Sequence, residues 1–204
     1  MSKLYFRFGA MNCGKTTALL QVAHNYEEKG LKVIVIKSSI DKKGDSNIVS
    51  RLGVDRKVDI LLPPEESLKN KIKLDNLNCI LVDEAQFLTQ DQVKELWLIA
   101  KLHDIPVICY GLKTTFKGEL FKGSKALIEL ADVLEELVTI CSCGHKAKFN
   151  VRKVNGKIVS NGEDVAIDGF ENVTYEPMCG KCYIKKVLKI ESLWGKKIVS
   201  TKHS

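Results

Sequence analysis

Eight residues, Gly9-Ala-Met-Asn-Cys-Gly-Lys-Thr16, meet the pattern G-x-x-x-x-G-K-[ST] at each fixed position and lie between an apolar stretch and an amphipathic one. Glycines let the backbone turn so that successive N–H groups face one centre, and a helix that follows adds the positive potential of its N-terminus. Such a loop works only when a strand leads in and a helix leads out, so the motif dictates a strand–loop–helix unit at the head of the chain. Leu4-Tyr-Phe-Arg-Phe8 has the aromatic and apolar content of a buried strand. Leu19, Val22, Ala23 and Tyr26 recur at helical spacing, and Gly30 closes the run as a C-terminal cap. Gly9, Ala10, Met11, Asn12, Cys13, Gly14, Lys15 and Thr16 are therefore expected to cradle a nucleoside triphosphate. Lys15 would neutralise its β- and γ-phosphates, and the Thr16 hydroxyl would serve Mg²⁺.

Short apolar runs recur at 4–8, 33–36, 79–82, 107–110 and 137–140, mostly β-branched or aromatic and without polar alternation. Runs of that kind suit strands buried on both faces, as in a parallel sheet. Between them Thr89 to Gln92 forms a capping box ahead of Val93, Leu96, Trp97 and Ala100, and residues 126–131 carry a second apolar stripe. The alternation predicts an α/β fold, a P-loop (RecA-like) parallel sheet flanked by helices. Residues 41–59 show charge, glycine and no period, and read as a long loop of the kind that acts as a lid. After Ile140 the grammar changes: Phe149 and Val151 alternate with polar residues, Asn155-Gly156 is a two-residue hairpin signal, and Asn161-Gly162 follows. With 204 residues the chain can bury one substantial core and a small second module. The expected division is an ATP-binding α/β domain at 1–137, a zinc-binding β-hairpin lid domain at 138–192 and a short, basic, flexible tail at 193–204.

Cys79-Ile-Leu-Val-Asp83-Glu84 is an apolar strand ending in two acids. In sheets of this kind ligands gather beyond the carboxyl ends of the strands. Asp83 is placed to hold Mg²⁺ directly or through water, and Glu84 to take a proton from a nucleophile attacking the γ-phosphate. Cys141-Ser-Cys143 and Cys179-Gly-Lys-Cys182 give two close pairs whose four thiolates suit a closed structural zinc site. Zinc would supply on the order of 10 kcal/mol to a module with little core of its own. A redox pair at Cys179/Cys182 and four unligated thiols are the other readings, and His145 stands as a possible substitute ligand because the C-x-C spacing is tight. The remaining thiols, Cys13, Cys79 and Cys109, read as small core residues. Seven cysteines without a signal-peptide region point to the cytoplasm rather than to a disulfide framework. No stretch approaches the ~20 apolar residues of a membrane span. Net charge is +7, yet the densest basic stretches, Lys185-Lys186 and Lys196-Lys197, lack the interleaved aromatics of a single-strand binder. A basic face for anionic phosphates is expected, with neither nucleic acid nor membrane as partner.

Four blocks in order, G-A-M-N-C-G-K-T, L-V-D-E-A-Q-F-L at 81–88, Y-G-L-K-T-T-F-K-G-E-L-F at 110–121 and Y-E-P-M-C-G-K-C at 175–182, closely resemble the type II thymidine kinases, the zinc-containing family that includes many bacterial enzymes. The resemblance implies transfer of the γ-phosphate of ATP to the 5′-hydroxyl of thymidine, and of deoxyuridine, in pyrimidine deoxynucleotide salvage. It further implies a homotetramer and feedback by thymidine triphosphate. By the same resemblance Glu84 is the catalytic base, and Asp41, Asp83 and Gln86 belong to the nucleotide site. Met11, Leu112 and Phe116 would line the thymine pocket, Phe87 would flank the deoxyribose, and Tyr175 would contact the sugar. The backbone of Val165, Ala166, Ile167 and Asp168 would pair with the base edge. Lys42-Lys43 stand where relatives commonly carry an arginine, so contact with the transferred phosphate falls to a lysine or to Arg51. A rival from another class, a zinc-containing RecA-like nucleic-acid-dependent ATPase, predicts DNA-stimulated hydrolysis with strong salt dependence, whereas a nucleoside kinase makes no product without nucleoside.

Overall fold

In chain order the first part of the molecule contains β1 (Leu4–Phe8), α1 (Lys15–Glu28), β2 (Lys32–Ser38), the short pair β3 (Asn47–Val49) and β4 (Asp55–Lys57), β5 (Ile60–Leu62), β6 (Leu77–Asp83), α2 (Gln90–Leu102), β7 (Val107–Gly111), α3 (Lys122–Leu130) and β8 (Val133–Glu136). The computed structural model describes residues 1–41, 47–49, 53, 55–160, 172–190, 192–193 and 196–197. Six strands form one parallel sheet in the order β5-β2-β6-β7-β1-β8, the α/β layer expected from the alternating runs. Successive side chains of a strand point to opposite faces, so a strand covered on both sides must be apolar throughout. On β6, Ile80 and Val82 pack with Val93, Leu96 and Ala100 of α2 and Leu127 of α3. Cys79 and Leu81 of the same strand pack on the other face with Leu19, Leu20 and Ala23 of α1. Each such aliphatic side chain withdrawn from water stabilises by roughly 1.5–3 kcal/mol.

The helix ends follow their sequence signals. Gly30 takes φ 70°, the Leu31 N–H donates to Tyr26 O at 3.0 Å and the Gly30 N–H to Glu27 O at 2.9 Å, the paired bonds that close a helix on a glycine. At the start of α2, Thr89 Oγ1 accepts the Gln92 N–H at 3.2 Å while Gln92 Oε1 accepts the Thr89 N–H at 3.0 Å, completing the capping box.

Two segments differ from expectation. The last strand of the sheet is β8 rather than 137–140; its ladder with β1 runs from Tyr5↔Val133 to Phe8↔Glu136. Asp132 pins the start of that ladder by accepting the Leu4 N–H at 2.7 Å, and Arg7 meets Glu135 at 2.6 Å. Charge is tolerated there because β8 is an edge strand. The stretch 41–59, read as a loop, contains the antiparallel β3–β4 pair, and Ile48 and Val58 from this stretch are buried in the α1-side core. Single apolar residues spaced among charges leave no period to read.

By internal contacts the chain divides into two compact units, one of Met1–Phe8, Gly14–Lys113 and Leu120–Leu137, the other of Gly9–Cys13, Thr114–Glu119 and Val138–Ser204. The second contains β9 (Thr139–Ile140) paired antiparallel with β10 (Lys146–Ala147), and β11 (Phe149–Val154) between β12 (Lys157–Ile158) and β13 (Val173–Met178). The short helix α4 (Gly180–Tyr183) and the pair β14 (Ser192–Leu193) and β15 (Lys196–Lys197) follow. Asn155 at φ 49° and Gly156 at φ 74° make the predicted two-residue turn between β11 and β12. The Asn161-Gly162 signal lies outside the described residues. Tyr183 stacks on Phe149 with ring centroids 4.3 Å apart. Among the described residues no helix is long and apolar enough to cross a membrane.

Candidate active site and metal centre

The motif residues gather at the carboxyl ends of the parallel strands. The phosphate loop leaves β1, and Lys15 and Thr16 open α1, with Lys15 buried. Gly14 caps the helix at φ 81° and, having no side chain, makes no cap hydrogen bond to the first turn, the end of a helix that favours an anion. A Cβ on Gly14 would meet nothing within 4 Å, so glycine is required by the left-handed backbone and not by space. On β2 and β6, Lys37 and Asp83 stand opposite each other in register, both on the α1 face by strand alternation with Val35 and Leu81. Lys37 Nζ meets Asp41 Oδ2 at 3.1 Å and is 2 % exposed. Burial and the adjacent Glu84 carboxylate raise the Asp83 carboxyl to about 7, with Asp41 adding to the rise, against the opposing pull of the Glu84 N–H and Lys15. Asp41, Asp83 and Glu84 thus face Lys15 and Lys37, three carboxyl groups against two ammonium groups, a set whose surplus acid suits a divalent cation with oxygen ligands.

Beyond Asp83 the chain makes a tight turn. Glu84 sits in the left-handed region at φ 50° and ψ 39°, and Ala85–Phe87 form one 3₁₀ turn. Gln86, 2 % exposed, reaches back so that its Nε2–H donates to Glu84 Oε2 at 2.5 Å while its Oε1 accepts the Leu112 N–H at 2.9 Å. The Leu112 carbonyl in turn accepts the Ser124 hydroxyl at 2.6 Å. A Cβ built on Gly111 would lie 2.6 Å from Gln86 Oε1 and 3.1 Å from Gln86 N, so a larger residue at the end of β7 would press on the side chain that makes these two bonds. Phe87 meets Phe121 edge to face at 5.8 Å.

In the second unit the four sulfurs of Cys141, Cys143, Cys179 and Cys182 all lie within 4.8 Å of one another. A tetrahedral zinc with bonds of ~2.3 Å needs sulfur separations of about 3.8 Å, so the donor set fits that ion. Burial alone would raise the Cys141 thiol; the backbone N–H groups of Cys143 and Cys179 aimed at its sulfur outweigh that and bring it to about 6, while Cys182 is pushed up to about 12. Four sulfurs this close can all be thiolates only with a cation between them. His145 is outside the four-sulfur group: its Nδ1 lies 3.5 Å from Cys143 Sγ.

The same unit contains Met11, Phe116 and Tyr175. Asn150 Oδ1 on β11 accepts the Met11 N–H at 2.8 Å, and the Arg152 guanidinium lies 5.3 Å from the Phe116 ring centroid. Tyr175 stands opposite Arg152 in the β11–β13 register. Residues Val165 to Asp168, Lys42, Lys43 and Arg51 lie outside the described residues. Lys37 and Asn150 had not been singled out from sequence. A lysine that ends an apolar strand is a readable signal for the first, but an asparagine on an alternating strand looks like an ordinary outward-facing polar residue.

Residues 2–183 match the thymidine kinase family model. The thymidine kinase of Shewanella oneidensis is 45% identical over 186 residues, spanning 89% of this chain and 96% of that protein. That of Escherichia coli K12 is 43% identical over 199 residues, 95% of each chain. Among solved structures, the Pif1 helicase of Candida albicans shares a TM-score of 0.40 at 15% identity over 67% of this chain and 36% of that one, a likeness too weak to argue from. A phosphate loop after β1, paired acids at the end of β6 and a four-cysteine cluster, in a chain matched nearly end to end by such relatives, place it: the chain belongs to the thymidine kinase family.

Proposed function

We propose that the chain transfers the γ-phosphoryl group of ATP to the 5′-hydroxyl of thymidine, and of deoxyuridine, giving thymidine monophosphate in pyrimidine deoxynucleotide salvage. The observation that carries the reading is Glu84, braced by Gln86 beside the Asp83–Lys15 pair, in a member of the thymidine kinase family. The acceptor oxygen attacks the γ-phosphorus, the bond to the β,γ-bridging oxygen breaks, ADP leaves with the electron pair, and the hydroxyl proton passes to Glu84. Lys15 and the first-turn N–H groups of α1 neutralise the phosphates, and Lys37 fixes Asp41. Asp83 and Thr16 would hold Mg²⁺, which offsets the crowded carboxylates and screens the phosphate charge. By the family resemblance Met11, Leu112 and Phe116 would line the thymine pocket, Phe87 would flank the deoxyribose, Tyr175 would contact the sugar, and the backbone of Val165 to Asp168 would pair with the base edge. A single methyl group discriminates by only ~1–3 kcal/mol, which is why deoxyuridine is included. Structural zinc at the four cysteines, feedback by thymidine triphosphate, a homotetramer and a cytoplasmic location complete the reading, supported by the family resemblance.

The nucleic-acid-dependent ATPase is not favoured, because the relatives that match nearly the whole chain are thymidine kinases. The test is to incubate the protein with ATP and Mg²⁺ against thymidine, deoxyuridine, deoxycytidine and deoxyguanosine and to assay each monophosphate. Thymidine and deoxyuridine should yield product, and Glu84→Gln should lower thymidine turnover at least a hundredfold. Absence of thymidine monophosphate with the native chain would overturn the activity, and full turnover by Glu84→Gln the assignment of the base.

A further inference from the structure

Asn150 is 5 % exposed and stands on β11, the middle strand of its sheet. Its side-chain oxygen takes the N–H of Met11, a residue 139 positions earlier in the chain and inside the phosphate loop. A loop of this composition is costly to order, since each fixed backbone residue loses roughly 1–2 kcal/mol of conformational freedom. Within it Asn12 and Gly14 hold left-handed conformations at φ 66° and 81°. An anchor from outside the loop lowers that cost when it is itself rigid. β11 is rigid in this sense: its six residues pair without a break against β13, from Phe149↔Met178 to Val154↔Val173, and Met178 adjoins the metal ligand Cys179. Two residues along the same face, Arg152 covers the Phe116 ring. One strand face therefore touches the two segments that carry Met11 and Phe116.

We propose that Asn150 is a positioning residue that sets the first half of the phosphate loop through the Met11 N–H, and with it the Met11 side chain on the acceptor side. The inference rests on the kinase reading for its kinetic consequence. Its structural half stands apart from that reading. The Met11 N–H, spent on Asn150, is thereby withdrawn from the phosphate donors of the loop.

The test compares the native chain with Asn150→Ala and Asn150→Asp, the latter keeping an acceptor oxygen in place. Amide hydrogen exchange over residues 9–13 is followed without nucleotide, and the thymidine KM and kcat are measured. Asn150→Ala should speed exchange there about three- to tenfold, without change in β11 or β13, and raise the thymidine KM by a similar factor with kcat within twofold. Asn150→Asp should exchange within twofold of the native rate. Unchanged exchange at 9–13 in Asn150→Ala, equal acceleration in Asn150→Asp, or an unmoved KM would each overturn the proposal. Acceleration spread over β11 and β13 would reduce Asn150 to a merely structural residue and also overturn it. Should Asn150→Ala fail to fold, Asn150→Ser carries the same comparison. A native chain that leaves thymidine untouched would sink the kinase reading, while the exchange measurement still decides the role of Asn150.

Discussion

Glu84 holds φ 50° and ψ 39°, a left-handed conformation that costs a residue with a Cβ about 1–2 kcal/mol. The strain persists because the turn beyond it is fastened on two sides: Gln86 holds the Glu84 carboxylate and the Leu112 N–H at once, and Gly111 leaves the space for it. A base gains from such a brace, since its oxygen must meet the acceptor hydroxyl within hydrogen-bond reach. Gln86→Leu should therefore lower kcat for thymidine at least tenfold, about 1.4 kcal/mol of barrier, while leaving Glu84 in the chain. It also leaves the Leu112 N–H without its acceptor, so a modest drop in melting temperature should accompany the loss. Steady-state kinetics decide the matter: an unchanged kcat would mean that Glu84 is oriented without Gln86. The acids themselves were legible in the sequence, as an apolar run ending in Asp83-Glu84. The brace was not, because it depends on a turn that folds Gln86 back and on a strand end 26 positions away.

Elements show the same division between local and distant information. The N-terminal box of α2 and the Asn155-Gly156 turn were legible because each signal is complete within four residues. β8 was displaced from its expected place because its pairing with β1, not its own composition, decides where it starts. α3 carries a further case, Gly123, where local and tertiary preference oppose each other. Helix propensity alone favours alanine over glycine by about 1 kcal/mol. A Cβ at Gly123, however, would lie 2.5 Å from Ala85 O and 2.8 Å from both Gln86 O and Leu88 O, all backbone atoms that cannot swing aside. Overpacking of that severity costs on the order of 2–3 kcal/mol, more than the propensity gain. Gly123→Ala should thus lower the melting temperature by about 2–8 °C, read by thermal denaturation, and reduce thymidine phosphorylation because the displaced segment carries Gln86. A rise in melting temperature would show that α3 can draw back from the turn.

Across the whole molecule the two units draw on unlike sources of stability. Among the described residues the core clusters on the two faces of the parallel sheet hold eighteen and ten buried residues, whereas the cluster in the second unit holds six, two of them the metal-site residues Cys141 and Cys179. The alternation of strand and helix made the parallel sheet legible; the membership of Gly9–Cys13 and Thr114–Glu119 in the second unit was not, since contacts such as Thr139 to Asn12 span 127 positions. A cluster that small does little to offset the ordering of a unit of that length, and a bound ion adds on the order of 10 kcal/mol. Zinc analysis should accordingly find one ion per chain, and Cys179→Ser should lose it. Removal by a chelator should then raise amide exchange through β9, β10 and β11 while β1, β6 and β7 keep their protection, because the sheet core contains none of the ligands. Residues 9–13 should follow the second unit, since the Asn150 bond to Met11 goes with β11. Protection retained in β9 to β11 after the metal is gone would show that apolar burial and strand pairing suffice, and the four cysteines would then need another purpose.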